Sequence, residues 1–356
     1  GSRAGPPPPH PGPPGGPVRA HRERTMASRG AGVFAAALVA LVAAWMAAPS
    51  LLEVLMAPTY PVHGRGVVVI TGASSGIGAH AAETLATMGH TVIAGVRKTK
   101  DFDDVVAKGI PTLMPIILDV TNAEHIAAAV ERTLAVCEEQ GRPLMGVVNN
   151  AGVGFRGMAE LLDINKAKGM FDINFWGAVA MTQAFLPTLR KHKGRVVMIN
   201  SIAAYMYAPG NNMYTTSKAA LRTFTNALRA EVGPLGVAVA AVHPGFIITS
   251  IKEKTMAFLG VKDQSDLASD VYRYQAIAEM QWEDSKKLAE AGTKMSGTVD
   301  DTTRDVIRAL TEPRPKLEYY DGLVFGVPAH VFTAAMRNLP DRILELLALK
   351  KYREFV

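Results

Sequence analysis

A tyrosine and a lysine separated by three residues are the clearest candidates for proton-transfer chemistry in this sequence. Tyr214 and Lys218 begin and end the segment Tyr-Thr-Thr-Ser-Lys. In a helix this spacing places both side chains on one face, one turn apart. A free tyrosine is a poor base, with a pKa of about 10, but a neighbouring ammonium stabilises the phenolate and lowers that pKa. The pair therefore suits giving a proton to an alkoxide or removing one from an alcohol.

A serine and an asparagine precede this pair in the chain. Ser201 ends the apolar run Arg-Val-Val-Met-Ile-Asn-Ser, a predicted strand, so we expect its hydroxyl at the sheet edge where open α/β sheets bind ligands. There it could hold a substrate oxygen and stabilise developing charge, although a simple turn cap is the alternative. Asn174, taken by itself, is interpreted as an ordinary polar residue in a helix kinked near Gly177. Tyr205 and Tyr207 have no lysine four residues on and are interpreted as pocket wall or loop packing.

A glycine-rich turn near the front of the chain indicates a phosphate-binding site. Residues 67–70 are all β-branched, which is typical of a buried parallel strand, and they lead directly into Thr-Gly-Ala-Ser-Ser-Gly-Ile-Gly. Gly72 permits the tight turn, and Gly76 and Gly78 let a phosphate and the strand approach the backbone closely. The predicted helix over 79–88 then presents its unpaired N–H groups to an anion.

Taken together, these motifs resemble the short-chain dehydrogenase/reductases, which bind NAD(H) or NADP(H). The T-G-x-x-x-G-x-G turn, the N-N-A-G segment at 149–152, the Y-x-x-x-K pair and the V-x-P-G turn at 242–245 occur in the order typical of that family. The resemblance covers roughly residues 64–330. It implies that Lys218 also hydrogen-bonds the nicotinamide ribose and that Asn174 anchors a water relaying protons to that lysine. The implied catalytic residues are Asn174, Ser201, Tyr214 and Lys218.

The resemblance also implies where the cofactor lies. Tyr214 and Lys218 are expected to contact it, and Asp119, in Leu-Asp-Val-Thr, matches the aspartate that the family places near the adenine ring. As an alternative, Asp119 only caps the following helix, where Thr121 and Glu124 have capping-box spacing. The other expected cofactor contacts are Gly72, Ser74, Ser75, Gly76, Ile77, Gly78, Val120, Asn150, Ala151, Gly152, Pro244, Gly245 and Thr249.

The choice between the two nicotinamide cofactors depends on the end of the second predicted strand. Members of the family that prefer NAD place an acidic residue there to bind the ribose 2′-hydroxyl. This chain has Val96 instead, followed by Arg97 and Lys98. A guanidinium would pair with a 2′-phosphate, so NADP(H) is favoured over NAD(H). The alternative is an exposed basic turn.

Alternating strands and helices predict an α/β fold with a doubly wound parallel sheet (Rossmann fold), in a single domain preceded by an N-terminal hydrophobic segment. A charged, helix-forming insertion interrupts the alternation at about 249–311, and the family resemblance implies that it forms the substrate lid. Residues 331–356 are expected to form a C-terminal helical extension. Its amphipathic part, 339–347, is expected to pack on the core or on the partner in a homodimer rather than on a membrane. The predicted strands are 67–70, 91–96, 113–118, 144–149, 195–200, 237–242 and 318–324, and the predicted helices are 76–88, 123–139, 166–191 and 212–232.

Composition narrows the function classes. The net charge of +6 is scattered and forms no basic stripe, which argues against nucleic-acid binding. With one cysteine, Cys137, an internal disulfide and a multi-cysteine metal site are excluded, and no metal is predicted. Cys137 lies in a helical pattern and is expected in the core.

The front of the chain predicts a membrane or targeting role. Residues 1–30 form a Pro/Gly-rich leader expected to be disordered, and 31–56 a hydrophobic segment long enough to span a bilayer. A signal anchor, a cleaved secretory signal and an organelle presequence are all compatible with it. We expect membrane association at the endoplasmic reticulum, with organelle targeting as the alternative. Because arginines precede the apolar run, the N-terminus would face the cytosol.

The sequence thus predicts an NADP-dependent oxidoreductase that transfers a hydride between the nicotinamide and a lipophilic alcohol, ketone or aldehyde. A steroid, retinoid or fatty carbonyl compound would be its small-molecule substrate, because the lid length, the apolar front and the C-terminal Leu-Pro-Asp-Arg-Ile-Leu resemble the retinol and hydroxysteroid dehydrogenase branch. Two alternatives stay open: a non-catalytic nucleotide-binding membrane scaffold of the same fold, and an NAD-dependent oxidative member.

Overall fold

Seven parallel strands form one sheet at the centre of the molecule. The computed structural model describes residues 57–350 except 156, 207–208, 248, 250 and 252–295, together with residues 1 and 5. Elements are numbered over these residues. The strands of the sheet are β1 (Val67–Ile70), β2 (Thr91–Val96), β3 (Leu113–Ile117), β4 (Leu144–Asn149), β5 (Arg195–Ile199), β6 (Ala238–Pro244) and β7 (Glu318–Asp321).

The strand order is β3-β2-β1-β4-β5-β6-β7, and every neighbouring pair is parallel. The order reverses direction between β1 and β4, which opens a crevice at the carboxyl ends of those two strands. The glycine-rich turn follows β1, and Asn150 follows β4 directly. The fold therefore places both motifs at the point where open parallel sheets bind ligands, as the doubly wound prediction requires.

Helices cover both faces of the sheet. On one face, α1 (Gly76–Thr87), α2 (Thr99–Val106) and α7 (Val299–Thr311) pack on side chains such as Val68 and Ile70. On the other, α3 (Ala123–Gln140), α5 (Gly177–His192) and α6 (Asn212–Val232) pack on Val67 and Val69. Successive residues of β1 thus point to opposite layers, which explains why the whole strand is apolar. Cys137 is buried in the second layer, as predicted.

The predicted strands agree with the observed ones to within about two residues at each end, apart from the seventh. The predicted strand 318–324 is instead β7 followed by a short antiparallel hairpin of β8 (Leu323–Val324) and β9 (Val327–Pro328). Helix α2 was not predicted; it has only eight residues, too few for a clear apolar period.

The helix predicted over 166–191 is three segments. Helix α4 (Ile164–Phe171) runs into a π-helical turn, Asp172–Trp176, which continues as α5. Such turns insert an extra residue into a helix and occur often at functional sites. The irregularity therefore lies just before Gly177, where the sequence predicted a kink, and it contains Asn174.

The lid prediction extended too far towards the C-terminus. Residues 299–311 form α7, in which Val306 and Leu310 are buried against the sheet and whose start is capped by Thr298 and Asp301. This helix is part of the layer covering the sheet, because a parallel connection from β6 to β7 requires a crossover that covers one sheet face. Residues 252–295 of the predicted lid lie outside the described residues.

The C-terminal extension contains α8 (Ala329–Asn338) and α9 (Asp341–Lys350). Ala329 and Leu344 are buried, so both helices contribute side chains to the molecule's interior. Residues 351–356 lie outside the described part of the chain. The amphipathic helix predicted over 339–347 corresponds to α9.

The front boundary of the domain lies earlier than predicted. The chain divides after Ala57, and residues 59–61, expected to be linker, make specific contacts with the domain. The Tyr60 N–H donates to the Pro313 carbonyl at 2.8 Å, and the Arg195 guanidinium donates to the Pro61 carbonyl at 3.0 Å. Among the described residues, no helix is both long and apolar enough to cross a membrane. The predicted leader and hydrophobic segment, 1–56, lie outside them save for residues 1 and 5.

Candidate active site

Helix α6 places Tyr214 and Lys218 one turn apart, as their spacing predicts. The Lys218 ammonium lies 5.9 Å from the centre of the Tyr214 ring and donates to the Ile199 carbonyl at 3.0 Å. Burial of this ammonium lowers the pKa of Lys218 to about 8, because a desolvated cation is costly. An ammonium can donate three hydrogen bonds, and Lys218 donates to one carbonyl of the described chain. It can therefore also donate to a ligand in the crevice beside it.

Ser201 meets Tyr214 from the end of β5. Its hydroxyl accepts a hydrogen bond from the Ala203 N–H at 3.1 Å and so begins a 3-10 turn, Ile202–Tyr205. Burial raises the pKa of Tyr214, whereas the Ser201 hydroxyl acts to lower it. Ser201 is therefore both a turn cap and a partner of the tyrosine, so the two alternatives drawn from the sequence coexist.

Asn174 is buried in the π-helical turn and holds the loop after β4. Its side-chain oxygen accepts from the Val153 N–H at 2.9 Å, and its amide donates to the Val153 carbonyl at 2.9 Å. The amide also lies 3.3 Å from the Ser217 hydroxyl of α6. Gly152 lies between this asparagine and Lys218: a β-carbon placed there would be 3.4 Å from the Asn174 oxygen and 3.8 Å from the Lys218 nitrogen. The structure thus brings all four expected catalytic residues to one region.

The glycine turn after β1 has the geometry that its spacing predicts. Gly72 and Gly76 have φ values of +66° and +57°, a region that side chains strongly disfavour. A β-carbon on Gly78 would lie 2.3 Å from the Asn150 amide nitrogen, so only glycine fits there. Ser75 is the N-cap residue of α1, and Gly76, Ile77 and Gly78 form its first turn. The N-terminus of α1, with Ser74 just before it, therefore faces the crevice.

Thr71 is a site-shaping residue that the sequence prediction did not include. Its hydroxyl accepts from the backbone N–H groups of Asn150 and Ala151, both at 2.9 Å. The Asn150 side chain in turn donates to the carbonyls of Thr71 and Gly72, at 2.8 and 3.1 Å. Through these bonds the Asn150 amide joins the turn after β1 to the turn after β4. The sequence contained a signal for this role, because Thr71 is the first residue of the glycine-rich motif.

Arg97 and Lys98 are exposed immediately after β2, beside the loop that carries Asp119. Burial raises the pKa of the Asp119 carboxyl, but hydrogen bonds from Thr121 and the Arg97 charge outweigh it and hold the pKa below its usual range. The carboxylate accepts from the Thr121 N–H at 2.9 Å and from its hydroxyl at 2.7 Å. The capping box expected at Thr121 was wrong, since Asn122 caps α3 by accepting from two backbone N–H groups.

The remaining expected cofactor residues occupy two parts of the crevice. Val120 is buried and so close to Gly177 that a β-carbon there would come within 2.5 Å of it. Pro244 ends β6, and the Gly245 N–H donates to the Asp321 carbonyl at 2.9 Å. Thr249 lies near the glycine turn, since a β-carbon on Gly76 would be 3.2 Å from the Thr249 β-carbon.

These residues fit a nicotinamide dinucleotide. The glycine turn leaves room for a phosphate at the start of α1, and the partly buried Gly152 leaves the crevice open beside the Lys218 ammonium. Arg97 stands at the edge that the adenine half of such a molecule would reach. When bound, the nicotinamide supplies or accepts the hydride.

Tyr205 was interpreted as pocket wall or loop packing, but its hydroxyl is extensively hydrogen-bonded. It donates to the Glu318 carboxylate at 2.9 Å and accepts from the Arg222 guanidinium at 2.7 Å. Tyr207, the other tyrosine that lacks a lysine four residues on, lies outside the described residues. Arg222 could have been noticed from the sequence, because it stands four residues beyond Lys218 on the same helix.

Comparison with known proteins agrees with this geometry. The family model described as short chain dehydrogenase matches residues 66–259. The mitochondrial D-beta-hydroxybutyrate dehydrogenase of Mus musculus is 32% identical over 278 residues, covering 71% of this chain and 76% of that protein. The 11-beta-hydroxysteroid dehydrogenase A of Sesamum indicum is 37% identical over 192 residues, covering 52% of this chain and 54% of that protein.

Solved structures are similar as well. A short-chain dehydrogenase from Streptomyces avermitilis superposes with a TM-score of 0.61 at 27% identity, covering 82% of this chain and 97% of that one. A serine dehydrogenase complexed with NADP+ has a TM-score of 0.54 at 25% identity, covering 68% of this chain and 87% of that one.

Proposed function

This chain belongs to the short-chain dehydrogenase family, an oxidoreductase family acting on CH–OH groups, and we propose that it is an NADP-dependent member using a lipophilic alcohol, ketone or aldehyde. The observation that carries the proposal is the convergence of Ser201, Tyr214 and Lys218: the Ser201 hydroxyl acts to lower the pKa of Tyr214, and the Lys218 ammonium lies 5.9 Å from the tyrosine ring. A non-catalytic scaffold would need none of these contacts.

Each of the four residues has a proposed role in the reaction. The Ser201 hydroxyl holds the substrate oxygen, and Tyr214 gives it a proton during reduction or removes one during oxidation. Lys218 stabilises the phenolate by its charge and hydrogen-bonds the ribose of the cofactor. Asn174 fixes the loop carrying Gly152 and orders a water that supplies protons to Lys218. Its two hydrogen bonds to Val153 support the first of these two roles.

The preference for NADP(H) is supported by local charge. Val96 leaves no carboxylate for a ribose 2′-hydroxyl at the end of β2, and Arg97 follows in an exposed position. Asp119, the carboxylate beside Arg97, is already committed to two hydrogen bonds with Thr121. The Arg97 guanidinium is therefore the group offered to a ribose substituent, and a phosphate is its best partner.

An apolar substrate is supported by the residues around Tyr214. In the described part of the chain, this tyrosine packs against a cluster of apolar side chains. A small hydroxy acid such as the one named for the mouse relative would need a cation near its carboxylate. The members of the cluster are Val153, Phe155, Leu162, Ala167, Met170, Phe171 and Met213.

A panel assay tests both parts of the proposal. Steroid, retinoid and fatty carbonyl compounds, their alcohols and 3-hydroxybutyrate are each supplied with NADP(H) and NAD(H), and absorbance of the reduced nicotinamide is followed. We expect turnover of apolar compounds with NADP(H) and none by the Tyr214→Phe variant, whose cofactor affinity should match the wild type. Preferential turnover of 3-hydroxybutyrate would overturn the substrate class, and residual activity above about a tenth of wild type in Tyr214→Phe would overturn its role.

We also propose that residues 31–56 direct the enzyme to a membrane-bounded compartment. The mouse relative's name states a mitochondrial location, which favours the organelle-targeting alternative, whereas the relatives' names give no location in the endoplasmic reticulum. Fluorescent fusions of the full chain and of a chain lacking residues 1–57 would decide between the two organelles. The homodimer remains a prediction, testable by light scattering.

A further inference from the structure

A partly buried ionic cluster lies directly behind the turn that begins at Ser201. Glu318 of β7 accepts hydrogen bonds from the hydroxyls of Tyr205 and Tyr320, at 2.9 and 2.6 Å. Arg222 of α6 donates to the Tyr205 hydroxyl at 2.7 Å and to Glu318 at 3.2 Å, and its guanidinium lies 4.3 Å from the centre of the Tyr205 ring. We call Tyr205, Arg222, Glu318 and Tyr320 the clamp.

The sheet register assembles the clamp beneath α6. His243 pairs with Tyr320 across β6 and β7, and Ala241 pairs with Glu318. The side chains of these four strand residues therefore point to the same face of the sheet. The His243 ring stacks on Tyr320 at 5.0 Å and its Nδ1 donates to the Ser201 carbonyl at 3.3 Å. Burial lowers the pKa of His243 to about 4, so the ring is neutral across the working range.

The Ser201 turn is thereby held at both ends. At its start, Ser201 is fixed by the hydrogen bond that its carbonyl accepts from His243. At its finish, Tyr205 is fixed by Glu318 and Arg222. The two contacts thus lie at the opposite ends of a single short 3-10 turn, Ile202–Tyr205.

The clamp also connects this turn to the helix that carries the proton-transfer pair. Tyr214, Lys218 and Arg222 follow one another at intervals of four along α6, so they share one face of it. Arg222 is therefore two turns beyond Tyr214 on the same rigid element, and its contact with Tyr205 fixes the turn against that element. We propose that Tyr205, Arg222 and Glu318 are positioning residues that set the position of the Ser201 hydroxyl relative to the Tyr214 phenol.

The arrangement is more than packing. Desolvation of Glu318 would raise the pKa of its carboxyl, but the hydrogen bonds from Tyr320 and Tyr205 and the charge of Arg222 outweigh it and hold that pKa below its usual range. The clamp thus stays an ion pair, with Arg337 adding a second cation 3.5 Å from Glu318. Charge-assisted hydrogen bonds of this kind fix geometry as well as contributing stability. A purely structural role would not require one end to be the final residue of the Ser201 turn.

The test removes one hydroxyl and compares it with a matched control. Tyr205→Phe deletes the hydroxyl that joins the Ser201 turn to Glu318 and Arg222 but retains the ring. Tyr319→Phe is the control: the Tyr319 hydroxyl donates to Glu312 at 3.1 Å and its ring centre lies 5.5 Å from the Arg308 guanidinium, but it faces the opposite side of the sheet. The two variants should lose similar stability, so a difference in catalysis reports positioning.

We expect Tyr205→Phe to lower kcat by about tenfold while changing the Kd for NADP(H) less than about twofold, because only the alignment of Ser201 and Tyr214 is disturbed. Tyr319→Phe should keep the wild-type kcat. Equal kcat values for the two variants would overturn the inference. If Tyr205→Phe fails to fold, Arg222→Lys is compared with Arg222→Met, and only the lysine should restore part of kcat; equal values again overturn it.

Because the inference rests on the proposed roles of Ser201 and Tyr214, a measurement without substrate accompanies the kinetics. In protein labelled at the tyrosine ring carbon Cζ, the Tyr214 signal is identified by its absence in Tyr214→Phe. Displacement of the Ser201 hydroxyl should move the signal in Tyr205→Phe in the direction that Ser201→Ala moves it, and Tyr319→Phe should leave it in place. An unmoved signal in Tyr205→Phe would refute the clamp even if the panel assay finds no substrate.

Discussion

Lys218 is the residue at which stability and chemistry oppose each other most directly. Its ammonium is buried and donates one hydrogen bond, to the Ile199 carbonyl. Within the described chain no carboxylate lies at ion-pair distance from it. A group in this state costs folding free energy, and it persists where function needs it. The lowered pKa of about 8 expresses the same cost.

Lys218→Met should therefore stabilise the fold while abolishing turnover. Below the folded pKa of about 8, the wild type bears a penalty that the unfolded chain lacks, and the penalty disappears as pH rises towards the unfolded value. After allowance for the lost carbonyl bond, we expect a gain of about 2 kcal/mol at neutral pH. Urea denaturation at several pH values measures it, with the exposed Lys168→Met as control. A loss of stability in Lys218→Met at neutral pH would show that the charge is compensated.

Arg97→Asp should reverse cofactor preference from NADP(H) towards NAD(H). A charge-assisted contact to the 2′-phosphate contributes on the order of 1.5–3 kcal/mol, roughly 10- to 150-fold in affinity. The new carboxylate would also repel that phosphate and could accept the 2′-hydroxyl of NAD(H). The kcat/KM values for the two cofactors decide the matter, with Lys98→Asp as the neighbouring comparison. Wild-type preference for NAD(H) would make Arg97 a solvated surface charge.

At the scale of elements, Asp321 joins β7 to α7. Its carboxylate accepts from the Thr302 hydroxyl at 2.6 Å, while its second oxygen is buried with no partner in the described chain. Burial, with the charges of Asp305 and Asp301 adding to it, raises the pKa of Asp321 to about 7. The carbonyl of the same residue accepts from the Gly245 N–H, so this strand end also supports the loop leading away from β6.

Asp321→Asn should remove a pH-dependent loss of stability. The folded pKa lies above the unfolded value of about 3.9, so the wild type is most stable below that value and loses stability as pH rises to about 7. The loss is at most on the order of 4 kcal/mol. The unfolding free energy of the variant, relative to wild type, should rise across this window and level off above it. A flat difference, like that expected for the exposed Asp103→Asn, would contradict the buried, protonated carboxyl.

The sequence predicted the elements well where periodicity and turn chemistry act locally, and less well where the fold decides. The β-branched run at 67–70 could hardly be anything but a buried strand. The charged helix Val299–Thr311 was mistaken for lid because its charges hid the buried face that only the crossover to β7 requires. The π-helical turn at Asp172–Trp176 has no sequence signature, so Asn174 could be identified only through its motif.

The residues of the candidate site likewise include some that local spacing predicts and some that only the fold brings together. The spacing of Tyr214 and Lys218 predicted their shared face, because helix geometry is local. The partners of Tyr205 could not be predicted, because Glu318 lies 113 residues away and meets Tyr205 only through the register of β6 and β7. Motif spacing thus reveals the groups that react, while the groups that hold them depend on tertiary contacts.

At the scale of the molecule, the division after Ala57 predicts that the enzyme domain is separable from its front segment. Deleting residues 1–57 should leave the core and the site intact, since all the contacts described for them lie beyond that point. We expect this protein in the soluble fraction after lysis, with the specific activity of the full chain. If it still sediments wholly with membranes at high salt, a surface within residues 58–356 binds them.

A second deletion, of residues 1–63, tests where the domain begins. The sequence placed the start near Gly64, but Arg195 is fully buried and its guanidinium donates to the Pro61 carbonyl as well as to Ala309 and Glu312. Removing residues 58–63 would expose this charged donor and leave one of its bonds unmade, at a cost of about 1.5–3 kcal/mol. The longer deletion should therefore unfold at a lower urea concentration than the 1–57 deletion, while both retain the active site. Equal urea midpoints would place residues 58–63 in the linker after all.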